Sequence, residues 1–131
     1  MTKTNLYEIA ERDHIEIYEC DIARDGISLR FPESCVIGLR SGLSTAHKNA
    51  VLAHELGHCE TLSFYDEKSP FSRLQRCENR ADKWAVRHCI PEDEFRRCVA
   101  SGRAIWEIAE IFEVDEDLVM KAALLYYYNH L

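Results

Sequence analysis

The sequence predicts an α+β fold, mostly helical, with a small three-stranded sheet near the N-terminus and a C-terminal helix pair. Three observations carry this. Short runs that alternate with period two lie between residues 15 and 39. Helical signals dominate from Ser44 onward. The segments 103–112 and 115–127 are two short apolar stripes separated by one break. The 131 residues match one domain of common size, with a helical hairpin at about 103–128 as a subregion. A chain of this length buries about two-thirds of its unfolded surface.

The elements follow in order. Residues 5–13 place Leu6, Ile9 and Ala10 on one helical stripe. Ile15-Glu16-Ile17-Tyr18-Glu19-Cys20 alternates as a strand. Asp25-Gly26 reads as a turn. Ile27–Phe31 alternates again and Pro32 stops it, and Cys35–Leu39 is a third apolar run. Short turns between successive strands predict a meander. Ser44 and Thr45 are N-cap candidates for a helix from Ala46 to about Leu62. Residues 63–72 read as a loop, and a helix follows from about Arg73 to Cys89. Pro91 at the first position, with acids behind it, starts another helix that Ser101-Gly102 ends.

The net charge of −7, from 16 basic and 23 acidic residues, argues against a nucleic-acid binder. The N-terminal residues Met1-Thr2-Lys3-Thr4-Asn5 contain no apolar signal core, and no window reaches the length of a membrane span. A cytoplasmic protein is expected. The six cysteines are then free thiols, with Cys59 and Cys77 buried. A competing reading makes Cys59 or Cys77 an oxidant-sensitive control on the metal. No pair is spaced C-x-x-C, so a zinc knuckle is not expected. His14, His47 and His130 are expected at the surface.

The chemistry is concentrated in His54-Glu55-Leu56-Gly57-His58. Two histidines four apart on a helix share one face, about 6 Å apart along the axis. Two imidazoles so placed can bind one tetrahedral zinc ion. Glu55, one position on, can take a proton from the attacking water and return it to the leaving amine. Gly57 costs about 1 kcal/mol in a helix relative to alanine. Close packing of another backbone beside the metal would offset that. A catalytic zinc needs a third protein ligand. Glu78 on the next helix would complete a His-His-Glu set, with Asp82 and Glu60 as alternative donors. Asp82, four residues on, would then accept a hydrogen bond from a ligand histidine. Tyr65, Arg73 and His88 are candidates for stabilising the oxyanion.

These stretches resemble the ImmA/IrrE family of H-E-x-x-H metallopeptidases. The resemblance rests on His54–His58 and on Glu78-Asn79-Arg80-Ala81-Asp82-Lys83-Trp84-Ala85, which is similar to the family pattern E-x-x-A-(D/N)-x-(F/W)-A. It implies a minimal thermolysin-like zincin with Zn2+ on His54, His58 and Glu78, and Glu55 as general base. It also implies a protein substrate, since similar phage and mobile-element proteins cut their cognate repressor. Residues 59–77 and Val86-Arg87-His88-Cys89 are more polar than in many relatives. The competing function is a non-catalytic, zinc-stabilised module that antagonises a repressor by contact. The C-terminal pair resembles a helix-turn-helix hairpin, but its second helix offers Asp115, Glu116, Asp117 and Lys121 to solvent, which suits packing or partner docking better than DNA.

Overall fold

Which strand takes the centre of the sheet is decided by burial. In a computed structural model, which describes residues 5–131, the strands are β1 (Glu16–Cys20), β2 (Gly26–Phe31) and β3 (Ser34–Arg40). Residues 1–4, on which the reading of the N-terminus partly relies, lie outside the described residues. The order is β1-β3-β2. β3 runs parallel to β1, with Glu16 opposite Val36, and antiparallel to β2, with Gly26 opposite Leu39. The sheet is therefore mixed, not the expected meander. The most apolar run takes the middle place, with Ile37 and Leu39 fully buried. The more exposed β1 and β2 become edges, where polar side chains are tolerated. Pro32-Glu33 makes the hairpin between β2 and β3.

The helices are α1 (Leu6–Arg12), α2 (Thr45–Thr61), α3 (Phe71–Cys89), α4 (Glu92–Ala100), α5 (Ile105–Phe112) and α6 (Glu116–Tyr128). Ser44 Oγ caps α2 by accepting from His47 N at 3.3 Å. Helix α3 starts two residues earlier than expected, at Phe71 behind Pro70. Pro91 is the N-cap of α4 and not its first helical residue. Leu62 and Glu113 close α2 and α5 with positive φ of 52° and 57°.

Helices α2 and α3 pack face to face, and this contact positions the site. Leu52, Ala53 and Leu56 of α2 and Ala81, Ala85 and Val86 of α3 are fully buried. Gly57 lets the two backbones touch. A Cβ built on it would lie 2.6 Å from the Ala81 carbonyl oxygen and 2.9 Å from Ala81 Cα. The close backbone packing expected from the sequence is therefore present.

Cys35 of β3 and Cys59 of α2 form a disulfide with Cα atoms 6.1 Å apart. This corrects the expectation that all the cysteines are free; Cys77 and Cys89 are buried and stand outside the disulfide. The pairing follows from packing β3 on α2, which no local sequence pattern announces. The bridge closes a separation of 24 residues, a loop whose closure is worth about 3 kcal/mol. Cys35→Ser is expected to lower unfolding stability by roughly that amount. Dithiothreitol should do the same to the wild type in a urea titration and should add nothing to the variant.

His47 is half-buried between elements, not free at the surface. Its Nε2 lies 2.8 Å from Asp25 Oδ2 and its Nδ1 2.7 Å from Asp115 Oδ2. Only an imidazolium can donate to both carboxylates. Asp25 first, then Asp115, hold its pKa above the ordinary histidine value, against burial. The folded state binds the proton more tightly, so this stabilisation is complete below about pH 6.5 and is lost as pH rises through the raised folded value. The melting temperature should fall between pH 6 and pH 9, and His47→Gln should remove that part of the slope. No described helix is long and apolar enough to cross a membrane.

Candidate metal centre

Helix α2 places His54, Glu55 and His58 along one side, and α3 brings Glu78 and Asp82 against them. His54 Nε2 and His58 Nε2 lie 3.2 Å apart. Glu78 Oε2 is 2.7 Å from the first and 3.4 Å from the second. One ligand atom from each of these three residues falls within 4.8 Å of the others, a spacing that can hold a metal ion.

The outer nitrogens fix the direction of the inner ones. His54 Nδ1 is 2.8 Å from Asp82 Oδ1, and His58 Nδ1 is 2.6 Å from the Ser63 carbonyl oxygen. A carboxylate and a carbonyl only accept, so each Nδ1 carries the proton. Both neutral Nε2 atoms then present bare lone pairs to each other and to the Glu78 carboxylate. Three converging acceptors repel one another unless a cation lies among them. The donor set, two imidazoles and a carboxylate, suits a divalent transition metal.

Without a metal, a proton on His54 relieves the repulsion. Burial works against that charge, but Asp82 and Glu78 outweigh it and push the pKa up to about 9. The protonated His54, and then the His58 ring beside it, hold Glu78 well below the usual carboxylate range, against burial. Burial also opposes ionisation of Asp82, yet His54 and Lys121 keep its pKa low. Lys121 Nζ of α6 reaches Asp82 Oδ1 at 3.1 Å. The C-terminal hairpin thus touches the residue that orients His54. Lys121 and Asp115, expected to face solvent, are both engaged; Asp115 also caps α6 by accepting from Leu118 N at 3.0 Å.

Residues 10–123 match the family model described as the IrrE N-terminal-like domain, a peptidase family. The chain belongs to this family. No curated protein matches it. The donor cluster of this IrrE N-terminal-like domain lies on the two helices that carry the motifs read from the sequence.

Glu55 is buried, with 9% of its surface exposed. Its carboxylate has no hydrogen-bond partner among the described residues and lines a cavity of roughly 210 Å³ together with His54, His58, Tyr65 and Glu78. Tyr65 donates its hydroxyl to Glu78 Oε1. Burial, then Glu78, push that phenol up to about 12. Arg73 and His88 lie outside the cavity. The Arg73 guanidinium donates to the Phe64 carbonyl oxygen at 3.1 Å and so ties the loop before α3 to that helix. His88 stacks on Trp84 with ring centroids 3.8 Å apart, and its Nδ1 lies 2.9 Å from the Trp84 carbonyl oxygen.

Two neighbours of the site were hidden in the sequence. Gly26 is the buried first residue of β2, not a free turn glycine. A Cβ there would meet Val51 Cγ1 at 2.5 Å and Glu55 Oε2 at 3.3 Å, so β2 can lie against Glu55 only without a side chain at this position. A glycine at the head of an alternating run is the signal for such an approach. Arg24, two residues earlier, lines the cavity beside Glu55; nothing in its local pattern distinguishes it from a surface arginine.

Proposed function

We propose that this domain is a zinc-dependent endopeptidase that cuts a protein partner, with a phage or mobile-element repressor as its substrate class. The observation that carries the reading is the Glu55 carboxylate. It is buried, unpartnered and adjacent to three converging metal donors. A structural zinc site needs no such group, and a carboxylate that no described side chain or backbone group holds is free to act on what enters the cavity.

His54, His58 and Glu78 would hold zinc, with Asp82 and the Ser63 carbonyl keeping both imidazoles in the ligating tautomer. The metal would supply Lewis-acid polarisation and a positive charge at the developing oxyanion. Glu55 takes the proton of the attacking water and delivers it to the amide nitrogen as the C–N bond breaks. Tyr65, on the outer oxygen of Glu78, holds that carboxylate in place. Edge strand β2 supports a peptide substrate. Ile27, Ser28 and Leu29 line the cavity, and an edge strand leaves backbone groups free to pair with an extended peptide.

The test is to incubate the zinc-loaded protein with the purified repressor encoded beside it and follow fragments by mass spectrometry. Defined fragments that disappear with a zinc chelator are expected. An intact repressor that nonetheless loses its operator in the presence of this protein would replace cleavage with binding.

A further inference from the structure

Two cavities meet at the metal centre. The first, described above, opens along β2. The second, of roughly 320 Å³, runs toward the start of α6 and is lined by Asp25, His47, Asp117 and Lys121 among others. Among the described residues, Arg24, His54 and Glu55 are the three that belong to both linings. A peptide that crosses from one cavity to the other must pass this junction. The bond beside His54 and Glu55 is the one that lies against Arg24.

Arg24 is placed there by its neighbour. Asp25 accepts from Arg40 Nη1 at 3.1 Å and meets His47 Nε2 at 2.8 Å, and its carbonyl oxygen accepts from Arg40 N at 2.8 Å. The end of the β1–β2 connection is therefore tied to β3 and α2, while the Arg24 side chain is exposed at the junction. No described carboxylate forms an ion pair with it. It is the one arginine or lysine among the residues lining the first cavity. Its charge reaches the Tyr65 hydroxyl, where it acts against the rise caused by burial and Glu78. A guanidinium is permanently charged and offers a fork of N–H donors. With the Tyr65 hydroxyl beside it and no described carboxylate paired to it, the guanidinium keeps donors for negative charge that appears only during reaction.

We propose that Arg24 is a catalytic residue that donates hydrogen bonds to the oxyanion, an assignment that rests on the peptidase reading above. When the water oxygen bonds to the carbonyl carbon, the C=O electron pair moves onto oxygen and the water proton goes to Glu55. Arg24 binds that oxygen without giving up a proton. On collapse the pair returns to form the carboxyl group, the C–N bond breaks, and Glu55 protonates the nitrogen.

The experiment compares wild type, Arg24→Met and Arg24→Lys, all zinc-loaded. Two readouts are used: cleavage of fluorescein-labelled casein, and calorimetric binding of N-phosphoryl-leucyl-tryptophan, whose phosphoryl oxygen mimics the oxyanion. In Arg24→Met, kcat should fall about 100-fold or more with KM nearly unchanged, as for loss of one oxyanion donor. Phosphoramidate affinity should fall about as far, zinc affinity should not change, and Arg24→Lys should lie between. Equal phosphoramidate affinity in wild type and Arg24→Met overturns the assignment, as does a wild type that does not bind the phosphoramidate at all. A loss confined to substrates with an acidic residue beside the cut bond also overturns it, because Arg24 would then read a side chain. A wild type that binds the phosphoramidate through Arg24 but cuts no protein would instead count against the peptidase reading.

Discussion

Replacing Gly57 with alanine is expected to lower the stability of the fold by about 2 kcal/mol, although the same change in an exposed helix raises it by about 1 kcal/mol. The sign reverses because of what the new methyl group meets. It would lie 2.6, 2.9 and 3.1 Å from O, Cα and C of Ala81. These are backbone atoms in the middle of α3, so no rotamer change relieves the overlap and the two helices must separate. Ala81 adjoins Asp82 and lies one turn from Glu78. The contacts of His54 with Glu78 at 2.7 Å and with Asp82 at 2.8 Å cross the same interface. Zinc affinity should therefore fall about 10- to 100-fold, as when the partners that orient a ligand histidine are lost. Urea titrations of the metal-free protein and zinc competition against a chromophoric chelator give the two numbers. A stabilised variant with unchanged zinc affinity would mean that α2 and α3 part without cost.

The site was legible from the sequence wherever helical period alone brings its residues together. His54 and His58 share α2 with Glu55 next to the first, Glu78 and Asp82 share α3, and the members of each outer pair are four apart. Gly57 could also be read, because a glycine in a strongly helical segment demands a reason. What stayed hidden depends on distant segments. The place of β3 between β1 and β2 follows from competition for burial among three similar runs. The Cys35–Cys59 bridge requires β3 to lie on α2. Gly26 looked like a turn glycine because the nearness of Val51 and Glu55 is tertiary. Lys121 and Asp115 looked like solvent-facing charges on a short helix. Yet Lys121 reaches Asp82, and Asp115 meets His47 at 2.7 Å. The same ambiguity placed His88 and Arg73 among the oxyanion candidates. A helix stripe shows which residues share a face but not how far that face extends into the cleft, and both side chains are held by main-chain carbonyls outside it.

Glu55→Gln should reduce kcat by about 10²- to 10⁴-fold, the usual contribution of a positioned general base, and should leave zinc affinity within about threefold of wild type. The substitution keeps the volume and one acceptor oxygen but removes the site that takes a proton. Nothing else should change, because Glu55 is not among the three converging donors and no described residue hydrogen-bonds its carboxylate. The contact with Gly26, where a Cβ would come within 3.3 Å of Oε2, leaves room for an amide of the same shape. The Glu55 carboxylate opens to the cavity and acts on the neighbouring His54 ring through charge alone. The zinc-loaded variant is therefore expected to melt close to wild type, since no hydrogen bond is lost. Measuring kcat, zinc affinity and melting temperature on one preparation separates the possibilities. A drop in kcat accompanied by equal losses in zinc binding and stability would make Glu55 a structural residue. A fully active variant would remove it from the mechanism. Loss of turnover alone, with zinc still bound and the fold intact, is the pattern that a proton carrier in this position requires.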